Sequence, residues 1–289
     1  MPGIPIVDSH VHIYDPANLS YPWMKNAPRL NKPHLMADFT RCTAGANVEK
    51  IVFVEVDVAD RQHLDEVRWV ALQAQTDNRI QGMVASIPLE KGPAIESDLA
   101  AYAEIALARG VRRLIQSHSE PGWCLREPFV DSVKLLPKYG FSFDLCLYHP
   151  QLGDVIELVR LCPEGKFIVD HIAKPGIKSG LTEPWKSQMR ILAQLPNVWC
   201  KISGVVTEAD HSAWTAEQLI PYITHAIDCF GFDRVLFGGD WPVLELAASY
   251  SVWVDVVDRA IAGSTKEEIR KLYRDNAVEF YRLSHVSNN

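Results

Sequence analysis

Short unbroken apolar runs alternate with longer stretches of helical spacing along almost the whole chain. The first run, Ile4-Pro5-Ile6-Val7, leads into Asp8-Ser9-His10-Val11-His12 and predicts a strand. Runs at 51–56, 80–87, 111–116, 141–147, 167–171, 198–202 and 235–240 predict seven more. Helical spacing predicts helices over 38–47, 61–76, 94–108, 129–138, 152–161, 184–195 and 215–230, and two more, over 247–262 and 266–281, close the chain. Gly110 and Gly140 read as helix stops. Strands that are apolar throughout are buried on both faces, which is how parallel sheets read. Eight strand–helix units in 289 residues fit a single-domain α/β fold over 1–289, a (β/α)8 TIM barrel with C-terminal helices. An open dinucleotide-binding sheet fits less well, because no glycine-rich fingerprint follows the first strand.

Charge and cysteine usage narrow the function classes. Lys and Arg number 29 against 36 Asp and Glu, a net charge of −7, and no basic run is long enough to make a nucleic-acid surface. No apolar run approaches the length of a membrane span, and no leader pattern opens the chain. The six cysteines are scattered without a C-x-x-C, which reads as free thiols in a reducing compartment. A soluble cytoplasmic protein is expected.

The chemistry collects at the predicted strand ends, which in a barrel of this type share one rim. Along a strand, residues two apart share a face, so His10 and His12 point the same way. Strand two carries Glu55 and Asp57 and strand four ends at Gln116, with His118 beyond; strand five is followed by Tyr148 and His149. Strand six ends at His171, followed by Lys174; strand seven carries Lys201 and Ser203, and strand eight ends at Asp240, followed by Trp241-Pro242. Three histidines and one aspartate form the ligand set of a mononuclear hydrolytic metal site, in which a divalent ion such as zinc or manganese activates water. Without a metal, Asp240 can serve as general base while His, Lys or Arg polarises a carbonyl. The residue pattern leaves both routes open.

Asp8-Ser9-His10-Val11-His12, Asp170-His171-Ile172-Ala173-Lys174-Pro175 and Phe237-Gly238-Gly239-Asp240-Trp241-Pro242, in that order, resemble the amidohydrolase superfamily. Within it, the likeness is to the "amidohydrolase 2" branch and its sugar-lactone lactonases. Tyr14-Asp15-Pro16, Tyr21-Pro22-Trp23, Gly110 to Gln116 and Asp275-Asn276-Ala277 carry the likeness over nearly the whole chain. The resemblance implies a lactone substrate, Asp240 as the base that activates water, and His10, His12 and His171 as ligands or carbonyl polarisers. Some lactonases of this branch work without a metal. Binuclear members carry a bridging carboxylated lysine at the end of strand four, where this chain is read as having Gln116. The same branch also contains metal-dependent decarboxylases, the alternative reading, and the oligomeric state is left open, a homo-oligomer included.

Around this centre, His149, Lys174, Gln116, Arg113, Lys201, Trp241 and Trp23 are the candidate substrate contacts. Arg112 and Arg113 are adjacent, so they cannot both face the interior. Asp170 is expected to be structural, since alternation turns it away from His171. The loop over 14–36 is long and aromatic enough to be functional. His34, His63, His211, His225 and His285 are taken as surface or structural.

Overall fold

A computed structural model describes residues 2–284, so His285 lies outside the described residues. The strands are β1 (Ile6–Val11), β2 (Val48–Val54), β3 (Ile80–Ser86), β4 (Ala108–Arg112), β5 (Ser142–Leu145), β6 (Phe167–Val169), β7 (Val198–Ile202) and β8 (Val235–Phe237). Each pairs in parallel with the next. The sheet closes where the Asp240 N–H donates to the His10 carbonyl and the His12 N–H to the Trp241 carbonyl, both at 2.8 Å. The expected TIM-like barrel is therefore present. Its helices are α1 (Met36–Cys42), α2 (His63–Ala74), α3 (Glu96–Ala103), α4 (Glu127–Leu135), α5 (Leu152–Leu161), α6 (Trp185–Ala193), α7 (Ala216–Phe230) and α8 (Tyr250–Ala260).

Burial on both faces explains the continuous apolar strands. Outward residues pack under the helices. Val7, Val52, Val54, Val84, Ile168 and Leu236 form a separate cluster with Ala277, Val278, Phe280, Tyr281 and Leu283. The C-terminal segment, α9 (Lys266–Arg270) and α10 (Asn276–Phe280) joined by a π turn over Lys271–Asp275, thus closes the N-terminal end of the barrel. Functional groups are left to the other end. All six cysteines are unpaired, and no helix among the described residues is long and apolar enough to cross a membrane.

Three boundaries differ from the sequence reading. The fourth strand is Ala108–Arg112 rather than 111–116, and the helix before it ends at Ala103. Gly110 is not a helix stop but a strand residue; a Cβ there would overlap the Ser142 hydroxyl of β5, so glycine lets the two strands approach. The shift puts Arg112, not Gln116, at the strand end. β6 and β8 also stop early, at Val169 and Phe237, because the residues that follow take left-handed backbone conformations: His171 at φ 55° and Asp240 at φ 55°.

Glu66 of α2 lies buried against the end of β2 and accepts the Val56 N–H at 3.3 Å. Burial, then the charge of Glu55, pushes its carboxyl well above the usual carboxylate range. A carboxyl raised in the folded state holds a proton that the unfolded chain releases, so its contribution is fully favourable below the unfolded pKa and is lost as pH rises. Glu66→Gln keeps an acceptor for Val56 and removes the titration. Thermal unfolding should therefore show the variant gaining on the parent between about pH 5 and pH 8; parallel curves at both pH values would contradict this.

Candidate active site

The site begins at β1. A bulge between Asp8 and Val11 adds a residue to β1 at the level of Ser9 and His10, and His10 and His12 still face Asp240 together. Asp8 fixes the bulge from behind: its Oδ1 accepts the His10 N–H at 3.0 Å and the Gly239 N–H at 2.8 Å, and its Oδ2 accepts the Tyr250 hydroxyl at 2.9 Å. One carboxylate therefore ties the histidine strand to the segment that presents Asp240.

Asp240 Oδ1 faces three imidazoles: His12 Nε2 at 3.4 Å, His10 Nε2 at 3.8 Å and His171 Nε2 at 3.9 Å. His12 Nδ1 is 2.8 Å from the Val54 carbonyl, which can only accept, so the proton belongs on Nδ1 and the Nε2 lone pair aims at Asp240. His171 Nδ1 is 2.9 Å from the Ser203 hydroxyl. Burial lowers the His171 pKa to about 4. Burial and then Lys201 hold His10 well below its usual value. Burial works against the charge of Asp240, but His171, His12 and His10 outweigh it and hold the carboxyl well below the usual range. A lone pair aimed at a carboxylate calls for a proton or a cation between them. The donor atoms of His10, His12 and Asp240 lie within 4.8 Å of one another. This donor set fits one divalent cation.

His171 arrives on an unusual backbone. His171, Ile172, Ala173 and Lys174 have φ of 55°, 47°, 61° and 46°, a turn of left-handed helix that costs roughly 1–2 kcal/mol per residue. It is held by the Trp185 indole N–H on the Ile172 carbonyl at 2.7 Å and by Lys174 Nζ on Gln116 Oε1 at 2.5 Å. Gly204, at φ 60°, passes so close that a Cβ would overlap the His171 ring. The left-handed turn brings His171 inward, where alternation alone would face it away from Asp170. Asp170 keeps step with Ile168 of β6, the register partner of Asp144, and is fully buried, 3.0 Å from Lys201 Nζ, 3.4 Å from His10 Nδ1 and 3.4 Å from Arg112 Nη1.

Beneath the histidines lies a buried ion lattice. Arg112 donates from Nε to Glu55 Oε1 at 2.5 Å and from Nη2 to the Glu55 carbonyl at 2.6 Å, while Nη1 lies 3.3 Å from His10 Nε2. Lys201 Nζ donates to Asp144 at 2.6 Å and lies 3.1 Å from His10 Nδ1. Tyr281 of the C-terminal segment donates to Asp144 at 2.7 Å. Burial opposes the charge on Lys201, but Asp144 and Asp170 more than offset it and its pKa is raised.

Above the histidines opens a cavity of about 290 Å³, lined by His12, His171, Asp240, Arg112, Lys174, Gln116, Ser117, Asp57 and Cys146 on its polar side and by Tyr14, Trp23, Val56, Leu114 and Val243 on its apolar side. Among the expected substrate contacts, Lys174, Gln116 and Trp23 are in this lining. The other four are elsewhere. Arg113 is spent on Glu90 and Asp60 outside the cavity. Lys201 is fully buried in the lattice, and Trp241 is fully buried against His34 and Phe39. His149 begins a short turn after β5, beside Gly176. The sequence reading leaves Arg112 open beside Arg113, takes Asp170 as structural and does not single out Asp144, although a charged residue within a short apolar strand run is a readable signal.

The amidohydrolase family profile matches residues 7–283. The chain is a member of the amidohydrolase family. An uncharacterized protein of Sinorhizobium fredii is 30% identical over 98% of this chain and all of its own length. An L-fucono-1,5-lactonase of Burkholderia ambifaria is 26% identical over 97% of each chain. A solved amidohydrolase structure from Burkholderia multivorans with bound zinc superposes with a TM-score of 0.87 at 27% identity, covering 97% of this chain and 100% of that one. In this amidohydrolase the end of the fourth strand is Arg112, so neither that position nor Gln116 offers a lysine for carboxylation.

Lys201→Met leaves Asp144 buried without its cation and Asp170 with Arg112 alone. The expected loss is about 3–5 kcal/mol of stability, read as a large fall in the denaturation midpoint. Adding Asp144→Asn should recover part of it. A midpoint unchanged in the single variant would show that the lattice does not hold the barrel together.

Proposed function

We propose that this amidohydrolase opens the ring ester of a lactone, of the sugar-acid type, to give a hydroxy acid. The observation that carries the reading is Asp240: an ionised carboxylate, almost fully buried, surrounded by three imidazoles at one end of a small cavity. Such a group is a base with few competing partners. Asp240 takes a proton from water as the water oxygen bonds to the ester carbonyl carbon. The tetrahedral adduct then loses the ring oxygen, and the same proton passes from Asp240 to that oxygen, so no other reactant is needed.

Negative charge on the carbonyl oxygen needs donors within the cavity. Lys174 and Arg112 supply fixed cations, and His171 supplies an imidazole oriented by Ser203. A divalent ion of the zinc or manganese kind, held by His10, His12, His171 and Asp240, would supply Lewis-acid polarisation when bound. Gln116 and Lys174 offer polar groups for ring substituents, and Trp23 an apolar face in the same lining. Lys201 and Arg113 act on this reading by holding their neighbours. The lactonase from Burkholderia ambifaria supports the ester-hydrolysis reading, and the zinc-bound structure supports a cation on the histidines.

The test is acid release from a panel of aldonolactones, read with a pH indicator, before and after chelation. Asp240→Asn should lower kcat by about 10²–10⁴-fold with the fold intact. Activity that survives chelation assigns carbonyl polarisation to Lys174 and Arg112. Activity lost to the chelator and restored by zinc or manganese assigns it to the ion. No turnover of any lactone by protein of confirmed metal content refutes the lactonase reading and turns attention to decarboxylation.

A further inference from the structure

Asp57 is the one carboxylate of the cavity lining that the proposed reaction leaves without a role. It stands just past β2, half-buried, in the left-handed region at φ 51°. That conformation costs a non-glycine residue of this kind on the order of 1–2 kcal/mol. The chain holds it there by donating the Asp57 N–H to Glu55 Oε2 at 2.6 Å, with Glu55 itself clamped by Arg112. The side chain so presented has no hydrogen bond or ion pair to any described residue. Its neighbour Val56 accepts the Trp23 indole N–H at 2.7 Å, so an aromatic face is fixed next to an unoccupied carboxylate in one cavity.

We propose that Asp57 is a specificity-determining substrate contact: its carboxylate accepts hydrogen bonds from ring hydroxyls of the lactone, with the C–H face of the ring toward Trp23, and it discriminates against lactones that carry a carboxylate. The proposal rests on the lactonase reading and extends it to a substrate class, uncharged and polyhydroxylated. An ionised carboxylate has acceptors only, so it matches hydroxyl donors and repels anions. The nearest compensating cation is already engaged, because Arg112 donates to Glu55. Lys174 has its link to Gln116 and carries the opposite charge in the lining. Burial, then Glu55 and Asp60, raises the Asp57 carboxyl to about 6 against the opposing charges of Arg112 and Arg113, so at neutral pH the group is an acceptor.

Asp57→Asn is the informative variant, since asparagine tolerates the left-handed region and keeps the size of the side chain. Parent and variant are compared on an aldonolactone, on unsubstituted δ-valerolactone and on a carboxylate-bearing muconolactone. A hydrogen bond to a charged group predicts a loss of about 10–100-fold in kcat/KM on the aldonolactone, mostly in KM. The loss on δ-valerolactone stays within about threefold, and the muconolactone improves relative to both. A purely structural role lowers all three together and overturns the proposal, as does an unchanged aldonolactone. If the parent opens no lactone at all, the lactonase reading fails by itself. Asp57 is then judged by calorimetry with a cyclic polyol: tighter binding by the parent than by Asp57→Asn sustains the contact, and equal or absent binding overturns it.

Discussion

The site depends on one buried carboxylate, Asp170, placed between Lys201 and Arg112 directly below His10. Three charges taken out of water at the centre of a barrel are costly singly and tolerable only as a set. Burial pushes Asp170 up, and its neighbours, Lys201 foremost, more than reverse it, so the group is held well below its usual range. The consequence runs upward. With cations 3.1 Å and 3.3 Å from its two ring nitrogens, His10 cannot readily take a proton, and Asp240 faces a neutral imidazole. It also runs downward, through Asp144 to the Tyr281 hydroxyl of the C-terminal segment. The element that closes the bottom of the barrel is thereby linked to the group beneath the site.

A second constraint is backbone strain at the rim. Asp57, His171 to Lys174 and Asp240 all have left-handed φ, and Asp57, His171, Lys174 and Asp240 line the cavity. Each end of β2, β6 and β8 leaves the sheet by the same device. A left-handed residue turns the chain sharply enough that its own side chain enters the barrel mouth. The strain is borne by the strands below, whose residues are almost all fully buried.

The fold was legible because its determinant is periodic. Eight apolar runs with helical stretches between them lead to a closed parallel sheet whatever the boundary errors. The convergence of the candidate residues was legible for a related reason: His10, His12, His171 and Asp240 stand at the ends of those runs, and the closure of the barrel brings such ends together. What failed was anything that required the alternation to hold past the strand. Alternation allows only one of Asp170 and His171 to face the interior; Asp170 continues the inward row of Ile168, and the left-handed backbone at His171 brings that side chain in as well. Gly110 was taken as a helix stop, which moved β4 by three residues and gave Arg113 the place that Arg112 occupies. Neither error is visible in composition, since both arise from contacts between segments far apart in sequence, the Ser142 hydroxyl against Gly110 and Lys201 against Asp170.

These two constraints act on different parts of the chemistry. The ion lattice, through Lys201, helps to keep His10 unprotonated beside Asp240. It is central, fully buried and insensitive to what enters the cavity. The strained rim residues set which atoms meet a substrate, and they sit on loops that can vary without disturbing the lattice. Asp57 belongs to the second group, although its backbone is fixed by Glu55, which belongs to the first. Through that one bond, a substitution of the Asp57 side chain leaves the lattice contacts in place, whereas a change at Glu55 or Arg112 disturbs the lattice and the rim at once.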